Sequence, residues 1–474
     1  MKTCLVNVPY KYDASMETIP QMEPIKRESV NRGPPMGLMY VSTILKNKGY
    51  KCRIIDANVN DYSKEDLIDL LKEENPDLIG FSLIPFTMAE SLKWMKYIKR
   101  YIDAKIIVGG YSMIYYAKEL LSNDFIDYGI VGSAKDSLVK LIKHLEGDGL
   151  VELEEIEGLV YKENGEVKQN ETVNCYVNLR DAPWPDRSGI ENSNYEYAKK
   201  SPFTIIMSSH GCGSHCDFCD IGNFLYSERD PTDVVDEIED CVKSHGIKHF
   251  AFMDDEFLLN EKRVENICDQ IIDRDLDVSW WCMTSINNSN RRILKKMKEA
   301  GCWLVWYGIE AASQEVLDGV HKGTTLEAIK KTINYTKTMG IKAGGFFIIG
   351  YPNETPEKIK KRVEFSKKLP LDYAQFFRMT GKPGSTLYDK IVESMGYDYF
   401  KKIAKSEIEP QELPLPWTNM SVNDIEKWVM KAYKKFYMRP SYILQRIVDI
   451  RSLSDIKNLI FSGIEMINME RTDN

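Results

Sequence analysis

Histidine is scarce in this chain: six in 474 residues, and none before His144. The amino-terminal quarter therefore has no imidazole to offer a metal or a cofactor. No apolar stretch approaches the ~20 residues that a membrane span requires. No leader pattern opens the chain either, since Met1-Lys2-Thr3-Cys4-Leu5-Val6 runs directly into a strand. A formal charge of −8 argues against a nucleic-acid-wrapping surface. No G-x-G-x-x-G follows the first strand, which leaves a dinucleotide site without support. Repeats and low-complexity segments are also missing. Ten cysteines in so long a chain do not read as a small secreted disulfide framework. The expectation is a protein of the reducing cytoplasm.

Against these absences stands one run, Cys212-Gly213-Ser214-His215-Cys216-Asp217-Phe218-Cys219. A CxxxCxxC spacing delivers three thiolates from one short loop, one ligand short of a closed tetrahedral site. Iron–sulfur clusters are held by thiolates, and an iron without a protein ligand stays open to another molecule. Structural zinc with His215 as fourth ligand is the alternative. Such sites draw paired ligands from two separated clusters, and no second Cys or His pair lies nearby. Cys4, Cys241, Cys268 and Cys302 fall in apolar elements and read as packed core.

Residues 1–145 alternate short apolar runs with amphipathic segments, the pattern of a doubly wound parallel sheet. Strands are expected at Cys4–Val8, Lys51–Asp56, Leu78–Ser82, Ala104–Val108 and Tyr128–Val131. Residues 151–175 read as a hairpin turning at Asn164-Gly165. An extended linker follows through Asp181-Ala182-Pro183-Trp184-Pro185. A second series places strands at Phe203–Met207, His249–Met253, Trp280–Met283, Trp303–Tyr307, Gly344–Ile349 and Tyr373–Arg378. Six βα units in succession predict a partial barrel, whose chemistry belongs at the carboxyl ends of its strands. The cysteine loop follows the first of them. The expected architecture is α/β: a Rossmann-like domain over 1–150, a hairpin and linker over 151–198, a partial (β/α)6 barrel over 199–395 and a small helical module over 396–474.

With its cysteine loop at the first βα turn of such a barrel, the chain resembles the radical S-adenosylmethionine (SAM) enzymes. Phe218 takes the aromatic position that the family places before the third cysteine. The resemblance implies a 4Fe-4S cluster on Cys212, Cys216 and Cys219, with S-adenosylmethionine chelated to the open iron. It also implies an external reductant such as flavodoxin or ferredoxin. Asp254, Asp255 and Glu256 close the second strand, where the family often binds the methionine ammonium. Glu310, in Tyr307-Gly308-Ile309-Glu310, would lie near the ribose or methionine part. Ile348 and Gly350 belong to the fifth-strand segment beside the adenine. Thr284-Ser285 stands where related enzymes often carry an arginine.

A doubly wound domain ahead of this barrel resembles a cobalamin-binding domain. Gly80-Phe81-Ser82-Leu83-Ile84-Pro85 matches the second part of that motif and Val108-Gly109-Gly110 the third. The first part, an Asp-x-His-x-x-Gly loop, is missing. The resemblance thus implies cobalamin bound base-off, without a histidine ligand, at Ser82, Leu83, Ile84, Gly109 and Gly110. The run Lys435-Phe436-Tyr437-Met438-Arg439-Pro440 extends the likeness to the subgroup that holds the bacteriochlorophyll cyclase and many methyltransferases. The expected activity is methyl transfer from cobalamin to a substrate carbon from which a 5′-deoxyadenosyl radical has taken hydrogen. Non-methylating oxidation, cyclisation or rearrangement on the same cofactors is the alternative.

Overall fold

The computed structural model describes residues 1–9, 33–147, 149, 151–172, 178–198 and 200–448. The loop after the first strand, where the histidine motif is missing, and the tail beyond 448 lie outside the described residues. Two compact units emerge. One gathers 1–9, 34–195 and 392–411; the other gathers 196–391 and 412–448.

In the first unit, β1 (Lys2–Asn7), β2 (Lys51–Asp56), β3 (Leu78–Ser82), β4 (Lys105–Gly109) and β5 (Tyr128–Ile130) run parallel in the order 2-1-3-4-5. The hairpin expected around Asn164-Gly165 forms β6 (Leu159–Glu163) and β7 (Glu166–Gln169), and β6 pairs antiparallel with β5. Helices α1 (Met36–Asn47), α2 (Lys64–Glu74), α3 (Met88–Ile98) and α4 (Ser112–Leu121) connect the parallel strands, and α5 (Ala134–Leu145) leads from β5 towards the hairpin. Their apolar stripes decide which side faces the sheet: α5 turns Leu138, Leu141 and Ile142 into the core. Ser63 and Asp66 exchange bonds as a capping box and start α2. The strand order reverses between β1 and β3. In doubly wound sheets ligands bind at such a point, outside the carboxyl ends.

In the second unit β8 (Phe203–Ile206) is followed by two short strands, β9 (Ser209–His210) and β10 (Ser227–Glu228), which pair antiparallel. Then come α6 (Pro231–His245), β11 (His249–Phe252), α7 (Glu261–Asp273), β12 (Ser279–Thr284), α8 (Arg291–Glu299) and β13 (Cys302–Glu310). The series continues with α9 (Gln314–Gly319), α10 (Leu326–Thr338), β14 (Lys342–Ile349), α11 (Pro356–Lys368), β15 (Tyr373–Arg378) and α12 (Thr386–Met395). The long strands form one six-stranded parallel sheet in chain order, from β8 at one edge to β15 at the other. Of the helices expected beyond 396, α13 (Tyr399–Ala404) falls within the first unit, and α14 (Val422–Tyr437) and α15 (Pro440–Val448) within the second.

Side chains alternate across this sheet as the pleat requires. Trp280, Cys282 and Val305 join the face packed by helices, whereas Trp281, Leu304 and Trp306 face the other way. There Tyr197, Phe203 and Tyr373 complete an aromatic floor, with the Tyr197 ring centroid 4.8 Å from that of Trp281. Each expected strand is present; β13 runs past the expected limit at Tyr307, to Glu310. No helix among the described residues is long and apolar enough to cross a membrane.

Candidate functional site

The cysteine loop begins at the carboxyl end of β8 and closes where β9 meets β10, so Cys212, Cys216 and Cys219 sit on one tethered excursion. All nine described cysteines are free thiols. Within the loop the Cys219 N–H donates to the Cys216 carbonyl at 2.9 Å. The Asp217 carboxylate meets His321 Nδ1 at 3.0 Å and its carbonyl accepts from the Leu387 N–H at 3.1 Å. Burial pushes the Cys216 thiol up to about 11, against the pull of the Lys322 ammonium, and raises Cys219 as well.

The three carboxylates after β11 divide their work. Asp254 is wholly buried; it accepts from the Ser208 N–H at 2.7 Å and from the Ser208 and Ser209 hydroxyls at 2.5 and 2.6 Å. Arg263, also buried, donates to Ser208 Oγ at 2.7 Å and lies 3.3 Å from Asp254. Glu256 turns to the next strand, accepting from the Thr284 hydroxyl and from the Ser285 N–H at 2.7 Å. The residues found where an arginine was looked for thus bind a carboxylate of this chain. Asp255 alone stays half-exposed, accepting from the Gly211 N–H at 2.8 Å and facing His210 Nδ1 at 2.8 Å. Together these bonds hold the base of the cysteine loop.

Across the loop, Phe218 meets the Tyr351 ring edge-on at 6.2 Å and carries the Lys322 ammonium 6.0 Å from its centroid. Glu310 is buried and accepts from Lys322 Nζ at 2.9 Å. Ile348 is half-buried on β14. Gly350 follows it, but both its main-chain groups have protein partners. Its N–H donates to Glu354 Oε2 at 3.0 Å, and its carbonyl accepts from Trp417 Nε1 at 2.8 Å. Lys322, Arg263 and Ser208 were not singled out by the sequence. Nothing in their local spacing marks them, because their partners come from other elements.

In the first unit, β3 and β4 pair with Ser82 beside Gly109, which brings the two motif fragments together. The Leu83 N–H donates to the Gly109 carbonyl at 2.8 Å, and the Leu83 carbonyl accepts from the Ser112 N–H at 2.9 Å. A cavity of about 230 Å³ opens here, lined by Leu5, Leu38, Val41, Ile107, Val108 and Leu138 among others, with Ser82, Gly109 and Gly110 on its wall. Gly110 has φ +89°, and a β-carbon on it would meet Ser82 Oγ at 2.7 Å and Leu83 N at 2.8 Å. A β-carbon on Gly109 would meet nothing within 4 Å, only open space. Leu83 and Ile84, expected side by side, point apart: Leu83 is fully buried and Ile84 is 38% exposed. The linker closes the cavity with Asn178, Leu179, Asp181 and Pro183. It is pinned to α1 by Asp186, whose Oδ2 accepts from Ser42 Oγ and Lys46 Nζ at 2.6 Å each.

Both sites fit the groups expected of them. Among the described residues no three Cys, His, Asp or Glu side chains converge as a single metal ion needs. Three free thiols on one loop are the donor set of a cluster whose cysteines bind different irons. The apolar cavity of about 230 Å³, with a bare wall at Gly109, suits the flat base of the cofactor's nucleotide tail rather than the whole group.

Comparison with known proteins agrees. The B12 binding domain family matches residues 22–142, and the radical SAM superfamily matches residues 206–366. An uncharacterised methyltransferase of Pyrococcus horikoshii is 30% identical over 436 residues, covering 91% of this chain and 93% of that protein. The anaerobic magnesium-protoporphyrin IX monomethyl ester cyclase of Rubrivivax gelatinosus is 28% identical, covering 88% of this chain and 76% of the cyclase. The cobalamin-dependent S-adenosylmethionine radical enzyme OxsB, solved with aqua-cobalamin and S-adenosylmethionine bound, shares the fold at a TM-score of 0.70 and 17% identity, over 98% of this chain and 70% of its own. The radical S-adenosylmethionine methyltransferase TsrM from Kitasatospora setae, with cobalamin and a 4Fe-4S cluster bound, gives 0.64 and 19%, over 83% and 76%. With both domain families in this order, and with a relative alike over nearly the whole of both chains, the protein belongs to the radical S-adenosylmethionine enzymes that carry a B12-binding domain.

Proposed function

We propose that the protein is a cobalamin-dependent radical S-adenosylmethionine methyltransferase acting on a carbon of a small molecule. The observation that carries this reading is the free thiol triplet on a loop at the carboxyl end of β8, in a chain that also presents an apolar cavity at the carboxyl ends of β3 and β4. When bound, the cluster and cobalamin supply, respectively, the electron that cleaves S-adenosylmethionine and the carrier for a methyl group.

This chain's residues bind and orient. Cys212, Cys216 and Cys219 hold the cluster. Asp255, the one half-exposed carboxylate after β11, is placed to receive the methionine ammonium, while Asp254 and Glu256 act through the loop and strand ends they hold together. Glu310 orients the ribose or methionine part, and Ile348 and Phe218 supply apolar contact near the nucleotide. Gly350 shapes the turn that presents them. In the first unit Ser82, Gly109 and Gly110 receive cobalamin, with Ile84 the exposed apolar side chain beside them and Leu83 anchoring the strand ends. No histidine serves the cobalt. The first domain is read as 1–150, the hairpin and linker as 151–198, the barrel as 199–395 and the helical module as 396–474. We place the reaction in the reducing cytoplasm, with flavodoxin or ferredoxin as electron donor.

The test needs no substrate. Cobalamin-loaded, cluster-reconstituted protein is reduced anaerobically and given deuteromethyl S-adenosylmethionine. Deuterium in the corrinoid fraction and S-adenosylhomocysteine in solution are expected. Cleavage to 5′-deoxyadenosine with no label on the corrinoid would favour the second reading, non-methylating radical chemistry, which the likeness to the cyclase supports.

A further inference from the structure

Glu310 leaves β13 as a regular strand residue does not. Its φ is +63°, in the left-handed region that residues other than glycine seldom adopt, and strain of this kind gathers at working sites. The register with β14 shifts between Gly308 and Glu310. Both irregularities accompany the bond from Lys322 Nζ to Glu310 Oε1, at 2.9 Å. Gly308 makes room for that pair: a β-carbon there would lie 2.6 Å from Oε1 and 2.6 Å from Nζ. Lys322 follows α9, its main-chain N–H held by the Leu317 carbonyl at 2.9 Å, and its side chain is 15% exposed. The Lys322 ammonium lies 6.0 Å from the ring centroid of Phe218, which precedes Cys219, and the carbonyl of its chain neighbour His321 lies 3.9 Å from Cys216 Sγ. The cation thus stands beside the cysteine loop.

We propose that Lys322, held by Glu310, is a positioning residue that sets the electrostatic field at the cluster on Cys212, Cys216 and Cys219 and thereby its reduction potential. The inference rests on the cluster assigned to this loop. An entering electron makes the cluster one charge more negative, so a nearby cation favours the reduced form and a nearby anion opposes it. Glu310 does two things at once: it fixes the ammonium in place and offsets part of its field.

The test is potentiometric titration of the reconstituted cluster, followed by electron paramagnetic resonance, without S-adenosylmethionine. Lys322→Met is expected to move the midpoint potential down and Glu310→Gln to move it up, while Lys322→Arg stays near the parent. Opposite shifts in the first two variants would establish the device. An unchanged potential in both, or shifts of the same sign, would overturn it. Should Lys322→Met take up no iron, Glu310→Gln, which keeps the lysine, decides the sign alone. A parent protein that forms no cubane would instead sink the assignment of the cluster, an outcome distinct from a cubane indifferent to Lys322.

Discussion

The two sheets prepare the carboxyl ends of their parallel strands in contrasting ways. At β3 and β4 the chain withdraws: Gly109 faces open space, Gly110 lets the strand ends close up, and the apolar wall offers shape. At β8 and β11 the chain puts forward sulfur and oxygen donors instead. Three thiols stand on a loop whose base is held by Asp254, Asp255 and Arg263. A site built from what is left out tolerates loss of a polar contact but not added bulk. A site built from donors tolerates changes in shape nearby but not loss of a donor.

The comparison can be broken or sharpened by experiment. Replacing Cys212, Cys216 or Cys219 with alanine should abolish the visible absorbance of the cluster and all 5′-deoxyadenosine formation, with cobalamin binding retained. Loss of cobalamin together with the cluster would erase the contrast between the sites. Asp254→Asn removes the nearer of two carboxylates facing the buried Arg263, leaving Glu228 Oε2 at 3.6 Å, and should cost about 2 kcal/mol of stability, read as a lowered midpoint in thermal or urea unfolding. Gly109→Leu fills the cavity without a clash at its own β-carbon. It should weaken cobalamin binding roughly tenfold or more at unchanged iron content, measured by retention of the corrinoid on gel filtration. Ser82→Ala removes one hydroxyl from the cavity wall. An effect no larger than about fivefold in the same assay is expected, the scale of one hydrogen bond.

How far each site could be read from the sequence follows from the same contrast. The thiol triplet is legible because its ligands are chemically rare and adjacent, and the alternation of apolar runs marks the strands that carry it. The cavity is less legible. Ser82 and Gly109 are brought together only by the register of β3 with β4. The linker that closes the cavity is fixed through Asp186 and Ser42, 144 residues apart. The run Asp254-Asp255-Glu256 reads as one acidic patch, yet its members face different neighbours, because side chains at a strand end fan out towards whichever element lies beside them. Asp254 finds Ser208 and Arg263; Glu256 finds Thr284 and Ser285. Lys322 escaped notice because its partner is twelve residues away across the turn of α9.

Iron-57 Mössbauer spectroscopy of the anaerobically reconstituted protein, before and after addition of S-adenosylmethionine, tests the central claim most directly. The account predicts the spectrum of a 4Fe-4S cubane in which one iron changes its signature when the nucleotide is added. A pocket filled stoichiometrically by zinc, or a cluster whose irons ignore S-adenosylmethionine, would contradict it.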